Sequence, residues 1–170
     1  MTTCNHRLSR ALLLVIVITL LPGCRPNNYG PGAGNRVSRE TVRLAAASFQ
    51  GDITEMDAAI KAGADVNGSD DVVGPPLVAA ASRGNQEAVK FLLDKGANVN
   101  TTDSRGMTPL MMATASGRVE TVQYLLANGA NPNAFTTIGV RTTKVTALSL
   151  ARSKNNETLV RLLRDAGARE

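Results

Sequence analysis

Few residues in this chain could carry covalent or metal chemistry. In 170 residues there are two cysteines, Cys4 and Cys24, one histidine, His6, and one adjacent carboxylate pair, Asp70 and Asp71. A serine or cysteine nucleophile needs a base held beside it, most often histidine. A zinc site needs several Cys, His or carboxylate ligands at short, characteristic spacings. Asp70 and Asp71 fall in GSDDVVGPP, a turn-forming stretch in which no burial is expected to tune a carboxyl for acid–base work. Cys24 could be a buried thiol, half of a disulfide, a metal ligand or a point of attachment. Its surroundings decide between them.

Those surroundings begin with ALLLVIVITLL, Ala11 to Leu21, an apolar or near-apolar run preceded by His6, Arg7 and Arg10 and followed by Pro22 and Gly23. As a helix rising about 1.5 Å per residue the run reaches only about 16 Å. A bilayer's hydrocarbon core is about 30 Å thick, so the run is too short to span it. A core helix would carry polar residues on one face, and this run has almost none. A basic region, an apolar region and a small, helix-breaking junction, in that order, are the parts of a secretory signal peptide. Residues 1–23 are therefore expected to be a signal peptide.

The junction LPGC, Leu21 to Cys24, resembles the lipobox of bacterial lipoproteins, with Pro22 at a place where Ala, Ser or Thr is usual. The resemblance implies that Cys24 is acylated and becomes the first residue of the mature chain, lipid-anchored on the extracytoplasmic side of a bacterial membrane. In a bacterium with two membranes, Arg25 after the cysteine, in place of an aspartate, points to the outer one. Two or three acyl chains, at about 0.8 kcal/mol per buried methylene, hold a protein on a membrane where one myristoyl chain does so only marginally. Cleavage would remove Cys4 and His6. That leaves no disulfide, no Cys/His zinc site and no histidine for a Ser–His–Asp, Cys–His or HExxH arrangement. It also removes Arg7 and Arg10, so 17 basic residues face 14 acidic ones and the net charge falls from +5 to +3. Nothing in that balance asks for a nucleic acid partner. Residues 24–36 are the lipidated cysteine and a spacer, RPNNYGPGAGNR, whose twelve residues have an end-to-end distance on the order of 20 Å as a flexible coil.

Beyond the spacer the chain repeats itself. GADVN at Gly63, GANVN at Gly96 and GANPN at Gly129 are 33 residues apart, and a terminal Gly-Ala at Gly167 follows after 38. Gly51, Gly84 and Gly117 keep the same spacing, with Asn155 in the fourth place. Asparagine is among the few residues that replace glycine where a left-handed backbone is required. Between the markers lie apolar residues at i, i+3, i+4: Met56, Ala59 and Ile60; Val89, Leu92 and Leu93; Val122, Leu125 and Leu126; Leu159, Leu162 and Leu163. Each set makes one stripe on a helix. The preceding stretches, Leu77 to Ala81 and Leu110 to Ala115, are rich in alanine and allow close helix approach. The repeat accounts for the glycines, and no phosphate-binding loop remains.

GMTPLMMATASGRVETVQYLLANGANPN, Gly106 to Asn133, resembles the ankyrin repeat, as does the period. Pro109 suits a first helical turn and Thr108 can cap it. GPPL at Gly74 and VTAL at Val145 are weaker copies. The family's histidine after T-P-L is replaced by Val78, Met111 and Ser149, which removes its usual hydrogen bond with the threonine and is expected to weaken the chain locally. The resemblance implies an all-α ankyrin-repeat solenoid over residues 37–170, with four helix-turn-helix units, about 37–67, 74–100, 107–133 and 145–170, joined by hairpin fingers. The first unit, with Ala59, and the last, with Arg161, Arg164 and Asp165, are read as caps.

The family implies a binding module and no reaction, cofactor or metal. Its pattern places Phe49, Arg83, Met112 and Leu150 on the exposed side of the first helices. Phe49, Met112 and Leu150 are either anchors for a partner or side chains packed under a finger. The third finger, AFTTIGVRTTKVT from Ala134, holds the five extra residues of the last spacing. Insertions of this kind often lie on a binding face, and Phe135, Ile138 and Arg141 are expected to contact the partner. Removing Phe135 to Gly139 would restore the 33-residue spacing. Charge is uneven along the array, −3 over residues 37–133 and +4 over 134–170. The expected partner is another protein, met by a monomer at the membrane surface. The alternative is a structural envelope protein whose basic last unit lies on anionic lipid.

Overall fold

A glycine or asparagine with positive φ stands at or just past the end of every first helix, and it sets the geometry of each unit. These are Gly51, Gly84, Gly117 and Asn155, with φ of 80°, 73°, 70° and 52°. The computed structural model describes residues 38–69, 74–138 and 143–169. Within them the helix pairs are α1 (Arg39–Gln50) with α2 (Ile53–Lys61), α3 (Pro76–Arg83) with α4 (Gln86–Asp94), α5 (Pro109–Ala115) with α6 (Val119–Ala127), and α7 (Ala147–Ser153) with α8 (Glu157–Asp165). A two-stranded antiparallel hairpin, β1 (Phe135–Ile138) and β2 (Thr143–Thr146), precedes α7, with Phe135 opposite Thr146 and Ile138 opposite Thr143.

Capping explains where the helices begin. The Ser38 hydroxyl accepts from the Thr41 N–H, the Asp52 carboxylate from Glu55 N–H, and Thr108 from Met111 N–H at 3.2 Å. Pro76 and Pro109 open α3 and α5, where the missing N–H costs no helical hydrogen bond. Ser149, at the place of the absent histidine, forms a reciprocal capping box with Thr146. In the fourth unit the expected local weakening is thus offset by a different pair of hydrogen bonds.

The helices pack as two layers. α1, α3, α5 and α7 stack on one another, and α2, α4, α6 and α8 stack beside them. Leu44, Leu77, Leu110 and Leu148 occupy one position of the first layer and are at most 2% exposed. Ala47, Ala80, Ala113 and Ala151 occupy another, where the small side chain lets successive helices approach. Met56, Val89, Val122 and Val160, with Ala59, Leu92, Leu125 and Leu163, fill the space between the layers. Of the stripe expected in the fourth unit, Leu159 and Leu163 are fully buried, and the 38-residue offset adds Val160, in register with Val122. Leu162 takes the half-buried place of Tyr124 and Phe91, packed against the core from its edge.

The last asparagine of each repeated motif ties its unit to the next. Asn67 Oδ1 accepts from Asn98 N–H at 2.7 Å while its Nδ2 donates to the Gly96 carbonyl at 3.2 Å. Asn100 does the same with Asn131 N–H and Gly129, at 2.8 and 3.3 Å. Asn133 does it with Arg169 N–H and Gly167, at 2.8 and 3.1 Å. The ladder therefore crosses the longer last spacing without interruption. A second tie runs between the second helices, where Asp57 accepts from Lys61 at 2.6 Å and lies 3.8 Å from Lys95 of the next unit. No helix among the described residues is long and apolar enough to cross a membrane.

Candidate functional site

The first-layer helices end in the tight turns just described, and these turns place side chains of neighbouring units side by side. Phe49 and Phe135 are the large hydrophobic residues left exposed among the described ones, at 40% and 60%. Phe49 sits near the end of α1. The Arg83 guanidinium, from the last turn of α3, lies 4.2 Å above its ring centre. Asn85, in the next turn, donates to the Phe49 carbonyl at 3.0 Å and fixes the backbone beneath the ring. A guanidinium held over a ring by cation–π attraction keeps N–H donors able to bind a second group. Arg83 can thus offer a fork to a carboxylate while Phe49 offers apolar surface.

Met112 and Leu150 serve the fold more than was expected of them. Both are half-buried and packed against the core. Met112 Sδ is 3.9 Å from an Arg105 guanidinium nitrogen of the second finger. Arg105 in turn is held by Asp103, at 3.0 and 2.8 Å, whose other oxygen accepts the N–H groups of Arg105 and Met107. The second finger is therefore a closed turn with its charges matched.

The third finger is braced on the second. Thr136 in β1 donates to the Arg105 carbonyl at 2.7 Å, and a Cβ built on Gly106, whose φ is 74°, would stand 2.6 Å from that hydroxyl. Only glycine permits this approach. The brace holds Phe135, and Lys144 of β2 stands 4.9 Å from its ring centre. These two residues are diagonal neighbours across the strand pair, a separation that long side chains bridge. Ile138 closes the described part of β1 opposite Thr143. Cys24, Arg141 and the pair Asp70–Asp71 lie outside the described residues.

Phe49 and Arg83 thus come together, Met112 joins the second finger, and Phe135 joins Lys144. Leu150 is brought to none of these pairs. Asn85, Thr136 and the asparagine ladder position the exposed residues and were not expected to. A faint signal for Asn85 exists, since Asp52, Asn85, Arg118 and Asn156 share one repeat position and two of the four cap a helix. Thr136 carries no such signal, because its partner is a backbone carbonyl 31 residues away.

A family model described as ankyrin repeats, three copies, matches residues 43–136. No curated protein matches the chain. The matched residues run from within α1 through the third unit to the start of the third finger, and the fourth unit continues the same packing beyond them. Ankyrin repeats generally mediate protein–protein interaction, and proteins built from them are typically non-enzymatic. With paired helices at a 33-residue period, turn glycines in register and this match, the chain belongs to the ankyrin-repeat family.

Proposed function

We propose that this protein is a lipid-anchored interaction module that binds another protein at the extracytoplasmic surface of a bacterial membrane. The observation that carries the binding half is the placement of the two exposed phenylalanines. Both lie on the side formed by the first helices and fingers, and each is covered by a cation. Rigid aromatic and guanidinium groups of this kind dominate interfaces energetically. The localisation half rests on the order of charges, apolar run and LPGC at the start of the chain. On this reading Cys24 anchors, residues 25–36 act as a leash, and the array recruits or shields a partner within reach of the membrane.

Two measurements test the halves separately. Metabolic labelling with a fatty acid should mark the wild-type chain and leave Cys24→Ala unlabelled, and equal labelling of both would refute the anchor. Capture from an envelope extract should retain a protein with the wild-type chain and lose most of it with Phe49→Ala/Arg83→Ala. Retention unchanged by that pair of substitutions would refute the site.

A further inference from the structure

Charge on the described helices separates between the two layers. The second helices hold Glu55, Asp57, Glu87, Asp94, Glu120, Glu157 and Asp165 against Lys61, Lys90, Arg161 and Arg164. In the first layer, α3, α5 and α7 contain Arg83 and Arg152 and no carboxylate. The described carboxylates on that side are already committed to internal partners. Glu40 pairs with Arg43 at 3.1 Å, Asp52 caps α2, Asp65 accepts from Asn67 N–H, and Asp103 is held by Arg105. Arg83, Lys144 and Lys154 have no ion pair among the described residues, and neither do Arg39 of α1 and Arg118 in the turn after α5. Arg83 and Lys144 lie over the two exposed aromatic rings.

We infer that the partner presents an acidic polypeptide segment to this side, with carboxylates for Arg83 and Lys144 and apolar side chains for Phe49 and Phe135. The inference rests on the protein-binding reading above and specifies its partner's chemistry. An unpaired cation beside an apolar ring complements a carboxylate flanked by an apolar residue, and charge-matched contacts of this kind fix register and speed encounter. A guanidinium favours a planar, two-oxygen acceptor. Anionic lipid is the poorer match, because surfaces that read it gather about four to eight Lys or Arg in one cluster. Here the cations without an ion pair among the described residues are spread from α1 through the second unit and the turn after α5 to the third finger and the end of α7.

An addressed array of random peptides, probed with the full chain in detergent, tests this without presupposing a sequence. Phosphatidylglycerol vesicles serve as the lipid arm. The expected result is retention of peptides enriched in Asp and Glu beside apolar residues, weakened roughly tenfold or more by Arg83→Glu/Lys144→Glu and left unchanged by Lys90→Glu on the second layer. Both substituted positions are exposed, and far-UV circular dichroism should match wild type. Retention of neutral or basic peptides instead would overturn the inference and leave protein binding standing. Vesicle binding with no peptide retained would overturn both, and an array and vesicles both left unbound would overturn the inference.

Discussion

At the residue scale the asparagines carry more of the structure than their place as repeat markers suggested. Asn100 supplies one acceptor and one donor to the following unit, and a protein hydrogen bond contributes about 0.5–1.5 kcal/mol net. Asn100→Ala is expected to destabilise the array by about 1–2 kcal/mol, and Asn100→Asp by less because the acceptor survives. Urea denaturation of the two variants checks the order. Asn155, with φ of 52°, should lose about 1 kcal/mol on substitution by Ala and little or nothing on substitution by Gly, since only a side chain with a β-carbon and no local hydrogen bond is penalised in the left-handed region. The same denaturation midpoints measure this, and equal losses for Ala and Gly would contradict it. Asn155 was legible in the sequence because a glycine series at fixed spacing demands a glycine-like residue there. The ladder was not, because its partners are backbone groups 29 to 36 residues away that no local pattern marks.

Among the elements, the helices were legible and the finger's role was not. Proline and threonine starts, turn glycines and the apolar stripe each locate a helix by local chemistry. The fourth stripe is legible at Leu159 and Leu163, which are fully buried, and not at Val160, which the 38-residue offset brings into the core while Leu162 stays at its edge. The five extra residues of the third finger are not a separable loop. Phe135–Ile138 is a strand paired with β2 and braced on Arg105, so removing Phe135 to Gly139 would take away structure along with contact surface. Thr136→Val is the cleaner change. It should lower stability by about 1 kcal/mol and speed amide exchange in β1 and β2 relative to α5, and unchanged exchange would show that the brace is idle. On the opposite layer, the Lys61 ammonium, with help from Lys95, holds the Asp57 carboxyl below its ordinary pKa. A lowered folded pKa stabilises at neutral pH and the contribution is lost as the carboxylate protonates, here as pH falls below about 4. Asp57→Asn should therefore flatten the acid limb of the stability profile slightly and leave the neutral and basic range nearly parallel to wild type.

For the whole molecule, stacking makes stability a sum of unit and interface terms, and the two layers divide the work. The stacked first helices and the asparagine ladder hold successive units together, and the second layer adds the Asp57–Lys95 tie. The side of the first helices and fingers carries the exposed phenylalanines, with Arg83 and Lys144 over their rings and without an ion pair among the described residues. The sequence alone displayed the axial imbalance of charge but not this transverse one, since assigning a charged residue to a layer requires knowing which helix faces which. Nor could it show that Met112 and Leu150 are half-consumed by packing while Phe49 is not. Which side meets protein is the question that separates the two layers most directly. A photo-reactive amino acid placed at Phe49, at Phe135 or at Arg161 of α8, in the full chain made in cells, tests that directly. Cross-links to one protein from the first two positions and none from the third are expected. Cross-links to protein only from the Arg161 position, or to lipid alone from all three, would contradict it.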